Sequence, residues 1–245
     1  MTTDPPPARR SLAEWEFTVL DSALVAPRMM RIGLTCPDLA RFDYAPGQAL
    51  RIAVPCGRDG VGERDYTIRG LDRAAGRMDV DVLLHGDTPG PRWARSVVAG
   101  DRVRARGPRS PVRLWPGRDW YLLAGDETAM PAILHMLETL PAGATARAFV
   151  EIADPEDRME AAIRPGAALT WVLRGRGGSP HAEFIGQVLE FPRPPGQGQA
   201  CVIGQTGPVQ AIRRGLMAAG MAREDIAAEG YWRPGRTGGV IESLD

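Results

Sequence analysis

The apolar pattern of this 245-residue chain changes its period once, near Pro116. Upstream, short β-prone runs recur at Glu16–Leu20, Met29–Leu34, Ala49–Val54, Asp65–Arg69, Met78–Leu84 and Arg102–Arg106, with Gly, Pro and Asp in the gaps. Strands at this spacing, separated by turn signals, predict an antiparallel barrel or sandwich, with one helical interruption near Arg92–Ala99. Downstream, the compact apolar strand Trp120–Ala124 precedes a helix with Ile133, Leu134, Leu137 and Leu140 on one face. Strands at Ala146–Glu151, Leu169–Leu173 and Ala200–Ile203 then alternate with helices near Pro180–Leu189 and Val209–Ala219, and Phe191–Gly198 reads as a surface loop. Such alternation predicts a parallel sheet with helices on its faces. The expected fold is α+β and two-domain: a disordered tail over 1–12, an N-terminal antiparallel β-barrel over 13–115, and a C-terminal α/β parallel-sheet domain over 116–245.

Acidic and basic residues balance at 30 each, so no overall field draws the chain to nucleic acid or a membrane surface. All 30 basic residues are arginine. That excludes a Schiff-base lysine, a phosphate-loop lysine and a lysine nucleophile. Every side-chain contact from a fixed cation to an anionic ligand must therefore come from a planar guanidinium. Cys36, Cys56 and Cys201 are scattered, with no C-x-x-C pair, which argues against a disulfide framework and a zinc site; no metal site is expected. The Pro-rich start carries no signal-like apolar stretch, and no run reaches the roughly 18–20 apolar residues of a membrane span. A cytoplasmic setting is the expectation.

Three segments carry candidate chemistry. In Arg64-Asp65-Tyr66-Thr67-Ile68-Arg69, side chains alternate along a strand, so Tyr66 and Ile68 share one face and Thr67 and Arg69 the other. An aromatic ring and a cation at a barrel edge suit a planar ring with a pyrophosphate; an exposed strand with charged edges is the plain alternative. His85-Gly86-Asp87-Thr88-Pro89-Gly90-Pro91-Arg92-Trp93-Ala94 is a loop running into a helix, whose N-terminal amides form an anion site or merely a turn and cap. Gly125-Asp126-Glu127-Thr128-Ala129-Met130-Pro131-Ala132-Ile133 joins a strand to a helix, where open α/β sheets bind ligands; ordinary capping by Asp126 or Thr128 is the alternative. No G-x-G-x-x-G follows a strand, so a dinucleotide fingerprint is absent. His135 is expected on a helix face, His181 at a helix start, Cys201 as a small buried hydrophobe, and Asp154, Glu156, Asp157 and Glu160 as a solvated acidic turn.

Together with Gly100–Val103, Ile212–Arg214 and Gly230-Tyr231-Trp232-Arg233-Pro234-Gly235-Arg236, these segments resemble the siderophore-interacting protein family, within the wider ferredoxin–NADP reductase-like fold. The resemblance runs in the family's order over nearly the whole chain after Trp15. It implies an FAD-binding barrel followed by an NAD(P)H-reductase-like domain. By similarity, Arg64, Tyr66, Thr67, Ile68 and Arg69 hold the flavin, with Tyr66 and Thr67 flanking its ring and Arg69 meeting the pyrophosphate. His85, Gly86, Trp93 and Ala94 match the loop and helix around the flavin phosphates, and Asp126 and Thr128 match the adenine end and the interdomain cleft. Three departures stand out. The loop before Trp93 runs one residue short and lacks a hydroxyl, with Arg92 as the substitute. Gly204-Gln205 stands where a glutamate is usual after the glycine. No lysine faces the siderophore, leaving Arg58, Arg113, Arg233 and Arg236 as candidates by position.

The activity implied is FAD-dependent electron transfer to the Fe(III) of a ferric siderophore, by a monomer with NAD(P)H or ferredoxin as donor. The cofactor carries the redox chemistry, so no protein residue need act as acid or base. A general NAD(P)H:acceptor flavin reductase and a non-catalytic siderophore- or flavin-binding protein are the alternatives.

Overall fold

The computed structural model describes residues 12–57, 60–110, 112–175 and 179–235, and the backbone of 242–243. Six antiparallel strands close into a barrel in the order β1-β2-β5-β4-β3-β6. They are β1 (Glu14–Ala26), β2 (Met29–Thr35), β3 (Ala49–Cys56), β4 (Gly60–Asp72), β5 (Arg77–Leu83) and β6 (Arg102–Arg109). β1 extends well past the expected Glu16–Leu20 because it pairs twice: Glu14–Thr18 with β6, then Thr18–Ala26 with β2. Its second half is mostly exposed, so inter-strand hydrogen bonding, not apolar alternation, holds it extended. Phe17, Ile32, Leu50, Ile52, Ile68, Met78 and Val80 fill the interior with no exposed surface.

The helix α1 (Pro89–Ser96) begins three residues before the expected Arg92, with Pro89 at its first position, where a missing N–H costs nothing. It places Trp93, Ala94 and Val97 into the barrel core.

The second unit is a sheet in the order β12-β11-β10-β7-β8-β9. β7 (Trp120–Gly125), β8 (Thr145–Ile152), β9 (Ala167–Leu173), β10 (Gly198–Gln205) and β11 (Ile226–Trp232) run parallel; the short β12 (Glu242–Ser243) is antiparallel to β11. The helices are α2 (Met130–Glu138), α3 (Ala182–Glu190) and α4 (Thr206–Ala218). β7 is buried throughout, as a central parallel strand covered on both faces must be.

Among the described residues, three groups of contacts fix the barrel to the sheet domain. At the β1–β2 turn, Arg28 pairs with Asp157 and Glu127. On β4, Arg69 makes a bidentate pair with Glu138 of α2 at 2.5 and 2.7 Å, while the Tyr44 hydroxyl lies 2.9 Å from Nε2 of His135 on the same helix. After β6, the Ser110 hydroxyl donates to the Glu229 carboxyl of β11 at 2.6 Å. Met29 and Val112 from the barrel side are buried in one cluster with Tyr121, Leu123, Met136 and Leu137, so the seam is apolar between these polar points. Asp157, expected in a solvated turn, is only 3% exposed because Arg28 covers it.

Candidate functional site

β4 serves two directions at once. Ile68 enters the barrel core and Tyr66 packs on Trp93 of α1, their ring centroids 5.9 Å apart and planes 23° apart. Asp65, Thr67 and Arg69 face the sheet domain instead. Asp65 is bidentate to Arg51 at 3.0 Å and also pairs with Arg109; Thr67 is buried beside the Tyr231 hydroxyl; Arg69 is taken up by Glu138. Arg69 is thus committed to a carboxylate across the seam, with its side chain only 10% exposed, rather than presented to a phosphate. The Arg64 stem passes beside α1, its Cγ 3.7 Å from where a Cβ on Gly90 would stand, while its Nη1 donates to the Glu63 carbonyl at 2.8 Å.

Gly90 is a site where a side chain is excluded. A Cβ there would lie 2.0 Å from the Tyr66 hydroxyl. Burial pushes the Tyr66 phenol up, so it stays neutral at physiological pH. The start of α1 is a poor anion site, because Pro89 and Pro91 carry no N–H and leave Gly90 as the only amide among the first three positions. Arg92, the expected substitute for the missing hydroxyl, is exposed and pairs with Asp87. His85 and Gly86 lie on the preceding turn, and Gly86 adopts φ +59° there. His85 is exposed as a residue, yet the protein around it displaces enough water to lower its pKa, while Asp126 pulls the other way.

At the sheet domain, Asp126 follows β7 and is 4% exposed. It does not cap α2, whose N-cap is Ala129. Its carboxylate accepts the Thr128 N–H and hydroxyl, the Gln205 N–H at 2.8 Å, and the Trp232 indole N–H at 2.8 Å. Asp126 therefore ties the β7–α2 loop to the loop entering α4 and to the end of β11. Next to it, Glu127 is 3% exposed and pairs with Arg174 and Arg28 while accepting the Ala153 N–H. Arg174 also bonds Glu151, which holds Nδ1 of His181 at 2.7 Å.

Glu229 and Tyr231, on the missed strand β11, join the site from the sheet side. Burial raises the Glu229 carboxyl to about 7, against the hydrogen bond from Ser110 and the nearby Arg109. The Tyr231 hydroxyl is buried without a hydrogen bond of good geometry among the described residues, and burial pushes its pKa up. Of the expected siderophore-facing arginines, Arg58 and Arg236 lie outside the described residues. Arg113 and Arg233 are exposed. The Arg113 carbonyl accepts from Gln199 and Cys201 beside the first half of β10, whereas Arg233 follows the end of β11, so their backbones lie at different levels of the sheet.

Comparison with known proteins adds the family. The model of the siderophore-interacting FAD-binding domain matches residues 58–112, and that of the siderophore-interacting protein matches 118–235. An uncharacterized protein of Mycobacterium tuberculosis is 36% identical over 191 residues, or 71% of this chain and 66% of the relative's length. Ferric vibriobactin reductase ViuB of Vibrio cholerae is 28% identical over 234 residues, 86% of each chain. The crystal structure of a siderophore utilization protein from T. fusca superposes with a TM-score of 0.81 at 30% identity, covering 96% of each chain. A ferredoxin NADP+ reductase from Neisseria gonorrhoeae, at 16% identity and a TM-score of 0.68, covering 89% of this chain and 99% of that one, shares the fold. With both domain models matched in order along one barrel-and-sheet architecture, the chain belongs to the siderophore-interacting protein family.

Proposed function

We propose that the chain is an FAD-dependent reductase that delivers electrons to the Fe(III) of a ferric siderophore and so releases Fe(II), acting in the cytoplasm. The observation that carries this is the construction of β4. One face presents Tyr66 on Trp93, with Gly90 and Arg64 at its margin; the other face is pinned to the sheet domain.

These residues fit a flavin. Tyr66 and Trp93 supply aromatic surface, Gly90 lets the Tyr66 hydroxyl lie close against α1, and the buried Tyr231 hydroxyl beside Thr67 has hydrogen-bonding capacity unused. FAD, when bound, supplies two-electron acceptance and one-electron delivery. In this reading Tyr66 and Thr67 hold the ring, Arg64 meets the phosphates, and His85, Gly86, Trp93 and Ala94 shape the adjoining turn. Arg69 acts by holding β4 against α2. Arg113 and Arg233, with Arg58 and Arg236, attract an anionic chelate. Fe(III) held by hard oxygen donors is released when one electron lowers its charge, so the reaction needs no acid, base or nucleophile from the chain.

The test is anaerobic spectroscopy of the FAD-loaded chain, reduced with dithionite and then mixed with ferric hydroxamate or catecholate chelates. The expected result is return of the oxidised flavin spectrum with Fe(II) trapped stoichiometrically. Failure of every chelate to reoxidise the reduced protein sinks the proposal.

A further inference from the structure

One buried polar cluster lies where β4, the segment after β6 and β11 meet. Glu229 is 1% exposed and Thr67 is 4% exposed. Side chains alternate along β11, so Glu229 and Tyr231 share the face turned to the barrel. The Glu229 carboxylate accepts the Ser110 hydroxyl at 2.6 Å, and the Tyr231 hydroxyl lies beside Thr67. Thr67 is one of the two residues assigned above to the flavin ring, so Glu229 belongs to the ring's own surroundings.

The segment that reaches Glu229 is strained. Ser110 adopts φ +101°, and among the described residues no other non-glycine has a positive φ. Such backbone persists where its surroundings over-determine it, and it gathers at functional sites. Here the Ser110 hydroxyl accepts the Val112 N–H at 3.0 Å while donating to Glu229, and the Ser110 carbonyl accepts from Nε2 of Gln48 at 3.4 Å.

The charges of the cluster depend on one proton. Arg51 of β3 and Arg109 of β6 both pair with Asp65 of β4, and Arg109 and Asp65 are the charged groups that act on Glu229. Burial keeps the Tyr231 phenol neutral. With Glu229 protonated, two guanidiniums and one carboxylate leave a single positive charge; with Glu229 ionised they leave none. Negative charge arriving beside Thr67 favours the protonated form, as a like charge does for any carboxyl. Burial has already brought that carboxyl to about 7, so a modest change in its surroundings decides its state.

Resting on the reductase reading above, we propose that Glu229 is the charge-compensating residue of the bound flavin. Its carboxylate takes a proton from water, forming a carboxyl O–H bond, when the donor's two electrons reach the flavin. That bond breaks and the proton returns to water once the electrons have passed, one at a time, to Fe(III). Flavin and iron are the redox partners, and Glu229 changes only its protonation.

The test is potentiometric titration of the FAD-loaded full chain, parent and Glu229→Gln, on both sides of the Glu229 value of about 7. Above it, the flavin midpoint potential of the parent is expected to fall more steeply with pH than that of the variant. The excess is up to one proton per two electrons, a tenfold change in equilibrium constant or about 30 mV per pH unit. Below it, where both proteins hold the site neutral, the slopes are expected to agree. Glu229→Gln keeps the shape and an acceptor for Ser110, so a merely structural role leaves the slope unmoved. Parallel slopes throughout overturn the proposal. If Glu229→Gln fails to fold, redox-difference infrared spectroscopy of the parent at about pH 8 decides. Reduction is expected to add the C=O band of a protonated carboxylic acid, and a spectrum without that band overturns the proposal. The reductase reading fails separately, if the dithionite-reduced parent cannot reduce ferric chelates; a chain that takes up no FAD overturns both.

Discussion

The two sides of the interdomain region are built on different plans. On the barrel side the packing is aromatic: Gly90 withholds the side chain that would strike the Tyr66 hydroxyl, and Tyr66 stacks on Trp93. On the sheet side, the strand ends are closed: Asp126 and Glu127 take up the neighbouring N–H groups and guanidiniums. A glycine serves both plans, at Gly90 to admit the Tyr66 hydroxyl and at Gly204 to admit the Asp126 carboxylate.

The closed side is broken most severely by Arg174→Ala. That leaves Glu127 and Glu151, both buried, short of their shared cation. Breaking such a pair from one side costs about 3–5 kcal/mol, and urea denaturation should show a loss of that order; a loss under about 1 kcal/mol means Arg28 and His181 carry the charges unaided.

The seam between the two plans should report through pH. Burial holds Glu229 near 7, above its ordinary 4.5, so the folded chain keeps a proton that the unfolded chain has already released. Stability should therefore fall as pH rises from about 4.5 to about 7, by roughly 3 kcal/mol at most. Glu229→Gln removes this slope, and denaturation of parent and variant at pH 5 and pH 8 measures it. Parallel behaviour of the two proteins across that range contradicts the assignment.

The barrel side is broken by Gly90→Ala, whose Cβ displaces Tyr66 from Trp93. Overpacking of this kind costs about 1–3 kcal/mol, and the proposed function requires that flavin retained per chain drop as well. Full flavin content with a stability loss alone separates packing from cofactor binding. The smallest effect is expected for Tyr44→Phe. It removes the hydroxyl bonded to His135, whose pKa burial, aided by Arg69, lowers to about 4. Thermal melts should show about 1 kcal/mol lost, with flavin content unchanged.

Much of the fold was legible where the signal was local. The change of period near Pro116 separates β6 from β7, and the face alternation of Tyr66 and Ile68 against Thr67 and Arg69 holds in β4. β11 was missed because Ala227-Ala228-Glu229-Gly230 has little strand propensity of its own; parallel pairing with β10 makes it a strand. The partners of Arg69, Asp157 and Asp126 were beyond reach for a related reason. In a chain with 30 arginines and 30 acids, nothing local says which pairs will meet. Asp126 meets Gln205 across 79 positions, and Arg28 meets Asp157 across 129. The weak amide supply at the start of α1 was legible, since Pro89 and Pro91 stand in plain view; the general rule about helix termini obscured them.

Arg28 with Asp157, Arg69 with Glu138, and Ser110 with Glu229 join the barrel to separate places on its neighbour: the turn after β8, the helix α2 and the strand β11. Points of attachment that do not share a line hold two bodies as a tripod holds an instrument, because rocking about the axis through any two feet lifts the third. With an apolar seam filling the space between the feet, these contacts resist a change of distance between barrel and sheet. A fixed gap would suit the electron transfer proposed above, whose rate falls steeply with separation.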